Sequence, residues 1–219
     1  MIKDLDHYLD KVKLNGYVKV DEFISSSDAL LLEQKTLKAF KKAKKNQFHT
    51  ITDFVKVLSI TEEDTKKKNF GFLNEFFINV KLKEFVQEYF ESEKIEITKI
   101  FLAESSNNGE KVDVLPYKMH FDKTRYLKFM IYLRDVFDGD GGVTFAKKEW
   151  NTKLQEELLK KEALKEENVV EVHDLSNIEE VIGEKGTAAV FDTNITHKAG
   201  QVLGNNKRLV LRIDTRPIP

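Results

Sequence analysis

The chain has no cysteine, which excludes disulfides and every thiolate-ligated metal site. Proline is scarce, 3 residues in 219, and glycine is modest at 10, which excludes collagen-like and proline-rich linker architectures. No apolar run is long enough to span a bilayer. The first residues, Met1 to Asp6, carry acids and no apolar stretch, so no signal peptide is expected. Neither charge dominates, since 36 Lys and Arg against 37 Asp and Glu leave a net charge of -1. Without a global field, neither nucleic acid nor an anionic membrane is a favoured partner. The basic run Lys38 to Lys45 reads as the solvated end of a helix. The expectation is a soluble, cytoplasmic chain forming one domain over residues 1–219, long enough to bury a core.

What is present is a change of pattern along the chain. Amphipathic periodicity predicts helices over 4–14, 28–45 and 82–92, with Ser25, Ser26 and Ser27 as candidate N-caps. Tyr17 to Val20, Val55 to Ile60 and Ile95 to Ala103 read as strands. From residue 118 onward strands dominate. Tyr126 to Arg134 is rich in β-formers, Asp138 to Gly142 is a turn, and Val143 to Ala146 returns. Thr187 to Asp192 and Arg208 to Thr215 are further strands. Between them, residues 151–168 form a highly charged, helix-prone insertion. The expected fold is mostly β with flanking α: a double-stranded β-helix, or jelly roll, with N-terminal helices on one sheet.

Five histidines are present. Three, His7, His49 and His173, have no neighbours suggesting chemistry. His120 stands two residues before Asp122, and an i, i+2 pair on a strand points to one face. His197 follows an apolar strand opened by Gly186. Two imidazoles and one carboxylate on one side of an octahedron leave three positions open, the pattern of non-haem Fe(II) oxygenases. Such a site takes 2-oxoglutarate through its C1 carboxylate and keto oxygen, and its distal carboxylate needs a cation. Arg208 suits that role because its planar fork matches a carboxylate. Lys207 competes, but neighbours on a strand face opposite ways. Arg208, Val210, Arg212 and Asp214 share the polar face, and Leu209, Leu211 and Ile213 the apolar one. Arg212 is open to two readings, a substrate contact or an ion pair with Asp214.

From Gly16 to Thr215 the chain resembles the Fe(II)/2-oxoglutarate-dependent dioxygenases, with the His120-x-Asp122, His197 and Arg208 set as the specific part. Gly16 to Ser25 looks like the family's N-terminal strand and turn. Tyr132-Leu133-Arg134-Asp135 followed by Gly141-Gly142-Val143-Thr144-Phe145 looks like the hairpin of prolyl-hydroxylase-like members. The step from His197 to Arg208 looks like the phytanoyl-CoA hydroxylase branch. Prolyl hydroxylases place a lysine where Lys207 stands, and alkylated-base demethylases an arginine where Leu203 stands.

The resemblance implies Fe(II), 2-oxoglutarate and O2, with His120, Asp122 and His197 as both metal ligands and catalytic centre. It implies Arg208 on the distal carboxylate. Tyr132 stands where relatives use a tyrosine hydroxyl on that carboxylate, and a core aromatic is the equal alternative. Val210 replaces a Ser or Thr found in many relatives. The expected activity is hydroxylation of a small-molecule or peptidyl substrate. Lys118, Arg125 and Asn194 are candidates for recognising it, with the 151–168 segment as a lid. The rival is a cupin-like isomerase or a non-catalytic metal-binding jelly roll.

Overall fold

The computed structural model describes residues 5–67, 70–79, 82–107, 117–122, 124–151 and 175–218. The predicted insertion at 151–168, apart from Asn151, and His173 lie outside them.

Among the described residues, ten strands form two antiparallel sheets. They are β1 (Tyr17–Val20), β2 (Phe48–Ile51), β3 (Val55–Ile60), β4 (Ile95–Ser106), β5 (Leu127–Tyr132), β6 (Val143–Ala146), β7 (Ile178–Val181), β8 (Ala188–Asp192), β9 (His197–Lys198) and β10 (Lys207–Pro217). The major sheet runs β1-β8-β5-β10-β4-β3-β2 and the minor sheet β7-β6-β9. The helices α1 (Leu5–Asn15), α2 (Ser26–Lys42), α3 (Gly71–Asn79) and α4 (Leu82–Phe90) belong to the N-terminal half. Of the three candidate serines, Ser25 is the N-cap of α2, its hydroxyl accepting from the Asp28 amide. That supplies one of the donors a helix start leaves without a partner.

Strand alternation divides the interior in two. Leu127, Phe129 and Ile131 of β5 and Leu209, Leu211 and Ile213 of β10 join the helices' Val12, Leu32 and Phe85 in one core. Met130, Tyr132, Phe191 and Val210 point the other way, into a second core with Val143, Phe145 and Val181 of the minor sheet. The apolar face of β10 is therefore the helix-covered one, as its sequence implies. Each such side chain contributes about 1.5–3 kcal/mol by leaving water.

Two assignments differ from the sequence reading. β2 was not expected, whereas β1, β3 and β4 fall where the sequence predicts strands, and β2, β3 and β4 build one end of the major sheet. The stretch around His120 is no full strand. His120 makes a single bridge to His197. Among the described residues no helix is long and apolar enough to cross a membrane.

Candidate active site

His120 and His197 are brought together by backbone pairing. The His120 amide donates to the His197 carbonyl at 2.9 Å, and the His197 amide to the His120 carbonyl at 2.7 Å. Two residues on, the Asp122 amide donates to Thr193 O at 3.0 Å. Both imidazoles are held alike. Nδ1 of His120 lies 2.7 Å from Lys118 O, and Nδ1 of His197 2.8 Å from Ile195 O. A carbonyl only accepts, so each Nδ1 carries the proton and each Nε2 keeps its lone pair. Nε2 of His120 lies 3.6 Å, and Nε2 of His197 4.0 Å, from Asp122 Oδ1.

Both rings are buried. Burial favours the neutral form and pushes His197 down to about 3, with the Lys128 charge adding to the effect. His120 is lowered for the same first reason. Burial opposes the Asp122 charge, but Lys128 and the two histidines hold its carboxyl below the usual range. The donor set is thus two neutral imidazoles and a carboxylate, all within 4.8 Å of one another. Donors about 2.1 Å from one cation on an octahedral face stand about 3 Å apart, so a small inward shift lets them share a divalent metal. Among the described residues this is the one such group.

Arg208 is buried. Nη1 donates to Gly141 O and, at 2.9 Å, to Gly200 O, and Nη2 reaches Ser105 Oγ at 3.5 Å. Its buried Nε has no partner among the described residues. Lys207 is half exposed and faces Glu104 Oε1 at 3.7 Å, turned away from Arg208 as alternation requires. A cavity of about 550 Å³ opens beside Arg208, lined among others by Ser105, Tyr117, Met130, Val210 and Arg212. That is within the range of small-molecule sites. His120, Asp122 and His197 do not themselves line it. Arg212 connects the two regions, since it lines the cavity and its charge acts on His120 and Asp122.

No family model matches the chain, and no curated protein matches it by sequence. Solved structures do. SnoN, a non-haem 2-oxoglutarate-dependent epimerase of nogalamycin biosynthesis, superimposes with a TM-score of 0.69 at 12% identity over 97% of this chain and 83% of its own. HygX from Streptomyces hygroscopicus, with nickel and 2-oxoglutarate bound, gives 0.63 at 11% over 96% and 86%. A Pseudomonas putida prolyl-4-hydroxylase gives 0.62 at 12% over 98% and 100%. The fold is that of the non-haem iron, 2-oxoglutarate-dependent enzymes. At identities this low, the fold is what is shared.

On this 2-oxoglutarate-enzyme fold, Tyr132 sits within the second core. Its hydroxyl donates to Val181 O at 2.6 Å and accepts from the Val143 amide at 3.1 Å. The proton a cosubstrate carboxylate would need is thus directed to the backbone of the minor sheet. Arg125 joins a structural network: Nε donates to Asp192 Oδ2 at 2.6 Å, Nη2 to the Tyr89 hydroxyl at 3.1 Å, and the guanidinium lies over the Tyr89 and Phe90 rings. Asp192 also accepts from the Asn194 amide, so this network braces the loop leading to His197.

Lys128 is the residue that sequence reasoning passed over. It is buried, and its Nζ lies 2.5 Å from Asp122 Oδ2, the oxygen not facing Nε2 of either histidine. Its strand partner on β10 is Asp214, which takes both Nε and Nη2 of Arg212 at 2.8 and 2.6 Å. Charges of alternating sign therefore run Asp122, Lys128, Asp214, Arg212. The signal in the sequence is a lone lysine inside the apolar run of β5, on the inward face with Met130 and Tyr132.

Proposed function

We propose that this chain is an Fe(II)- and 2-oxoglutarate-dependent oxygenase that hydroxylates a C–H bond of a small-molecule or peptidyl substrate. Substrate, 2-oxoglutarate and O2 give the alcohol, succinate and carbon dioxide, so one oxygen atom enters each organic product. The observation carrying this reading is the meeting of two neutral Nε2 atoms and the Asp122 carboxylate, in a fold that also buries an arginine whose Nε lacks a partner among the described residues. The donor set fits iron, and the unpartnered Nε fits an incoming carboxylate oxygen.

His120, Asp122 and His197 would hold the metal and leave half of its coordination positions open. Bound there with the cosubstrate, iron supplies the oxidising power that breaks an unactivated C–H bond. Lys128 leaves Asp122 one oxygen for the metal and fixes the carboxylate's direction. The carbonyls of Lys118 and Ile195 fix the imidazole planes. Arg208 would take the distal carboxylate, with Ser105 beside it in place of the hydroxyl that Val210 lacks. Phe191, whose ring centre is 4.9 Å from that of His197, keeps water from the far side.

The similar structures include an epimerase and a carbocyclase. Hydroxylation is proposed because it asks least of the protein, namely a substrate C–H held beside an open position. Anaerobic titration with Fe(II) and 2-oxoglutarate tests the site and should give the weak visible absorption of chelation. Mass analysis of product then tests the outcome. A product one oxygen heavier than its substrate supports hydroxylation, and an unchanged or dehydrogenated one rejects it.

A further inference from the structure

The cavity has a marked chemical bias. Lys99, Arg208 and Arg212 line it, and among the described residues no carboxylate does. Arg208 is assigned to the cosubstrate, which leaves Arg212 and Lys99. A guanidinium has two edges that match a carboxylate, Nε with Nη2 and Nη1 with Nη2. Asp214 takes the first edge of Arg212 in two bonds. The ring of Phe101, 4.6 Å from the guanidinium, fixes its plane. The second edge has no hydrogen-bond partner among the described residues, and 30% of the side chain remains exposed. Arg212 is therefore held rigid with one fork open, so an anion need not order it first.

Lys99 lies on the same floor. On β4 it is two residues from Phe101, the strand partner of Arg212, and is itself the partner of Asp214. Alternation puts Lys99, Phe101 and Ala103 on one face. The charge balance points the same way. Asp122, Asp214 and a 2-oxoglutarate dianion bring four negative charges. A divalent metal with Lys99, Lys128, Arg208 and Arg212 brings six positive ones. Glu180, near Arg208, has Lys198 as its own counter-charge.

We propose that the substrate carries a carboxylate, received by the open edge of Arg212 and by Lys99, on a body that packs against the apolar floor of Phe101, Ala103 and Val57. This rests on the oxygenase reading and names the substrate class that reading leaves open.

The test uses the full chain loaded with Mn(II) and N-oxalylglycine, an unreactive analogue of 2-oxoglutarate. The probes are octanoate, octanamide and octylammonium, followed by calorimetry and by Mn(II)-induced broadening of ligand proton signals. Octanoate should bind at least about tenfold more tightly than octanamide, octylammonium should not bind, and octanoate signals should broaden. Arg212→Met and Lys99→Met should each reduce the preference for octanoate to about threefold or less, with N-oxalylglycine affinity unchanged. Lys99 is exposed, so Lys99→Met decides the matter even where Arg212→Met fails to fold.

Equal binding of octanoate and octanamide overturns the proposal, as does no octanoate binding at millimolar concentration. If Arg212→Met weakens N-oxalylglycine as much as octanoate, the open edge serves the cosubstrate and the proposal is likewise overturned. Failure of the wild-type chain to take up Mn(II) and N-oxalylglycine at all is a separate result. It rejects the oxygenase reading and this inference with it.

Discussion

His120 and His197 face each other as a hydrogen-bonded antiparallel pair, exchanging both amide-to-carbonyl bonds, with their ring centres 4.5 Å apart. The two proposed ligands are thus set by one backbone bridge, and each ring is then locked by the carbonyl two residues before it. The site is preorganised by main chain, which point substitutions leave largely in place.

Removing one ligand should therefore abolish metal binding without unfolding the chain. His120→Ala and His197→Ala should each weaken Mn(II) or Fe(II) binding by more than the roughly 10–100-fold typical of changes around a ligand. Their circular dichroism should match the wild type. Anaerobic metal titration checks this, and wild-type affinity in either variant would contradict the assignment.

Arg208→Met should have two effects. It removes a carboxylate partner, so 2-oxoglutarate affinity should fall at least about tenfold, in line with loss of a charge-assisted bond. It also leaves Gly141 O and Gly200 O without this donor, at about 1–3 kcal/mol of stability. Cosubstrate titration and chemical denaturation measure the two separately. Lys207→Met, on the opposite face, should leave cosubstrate affinity unchanged.

Lys128→Met should destabilise the metal-free protein more than the metal-bound one. Without metal, Lys128 is the close counter-charge of Asp122, and breaking a buried ion pair costs about 3–5 kcal/mol. With Mn(II) bound, the cation takes over that compensation. Melting temperatures of variant and wild type, each with and without Mn(II), should show the difference shrinking on loading. An equal drop in both states would mean that Lys128 serves packing alone.

Acid should weaken the metal-free protein before ordinary carboxylates titrate. An unfolded histidine takes up its proton near pH 6.5, whereas His197 in the fold resists protonation until about 3 and His120 is lowered too. The unfolded chain then binds more protons, so stability falls as pH drops below about 6.5, down to the folded values. Each histidine adds a slope of up to about 1.4 kcal/mol per pH unit. His197→Gln should flatten the curve of melting temperature against pH over that window.

Much of this was legible from residue order because strand alternation is a strong constraint. The polar and apolar faces of β10 follow directly from Arg208 to Asp214, and the opposition of Lys207 and Arg208 follows with them. The run Leu73 to Val80 shows no clear period in the sequence, since apolar side chains crowd it. In the fold, Leu73, Phe76 and Phe77 are buried at helical spacing. β2 escaped because it is a short edge strand with His49 and Ile51 exposed, and an edge needs no full apolar pattern. The Lys128 to Asp122 contact depends on how the segment at 120–122 docks beside β5, which spacing alone does not specify. The imidazole locks depend on backbone angles at residues 118 and 195, which residue types do not dictate.

Arg208 also joins two loops. A side chain on Gly141 would collide with the Gly200 carbonyl, and one on Gly200 with the Gly142 carbonyl, so the two segments touch main chain to main chain with this guanidinium riveting them. Whatever this arginine binds, its loops would still need it to stay joined. The residue would persist as an architectural relic, and its presence in a distant sequence would testify to the junction rather than to the chemistry.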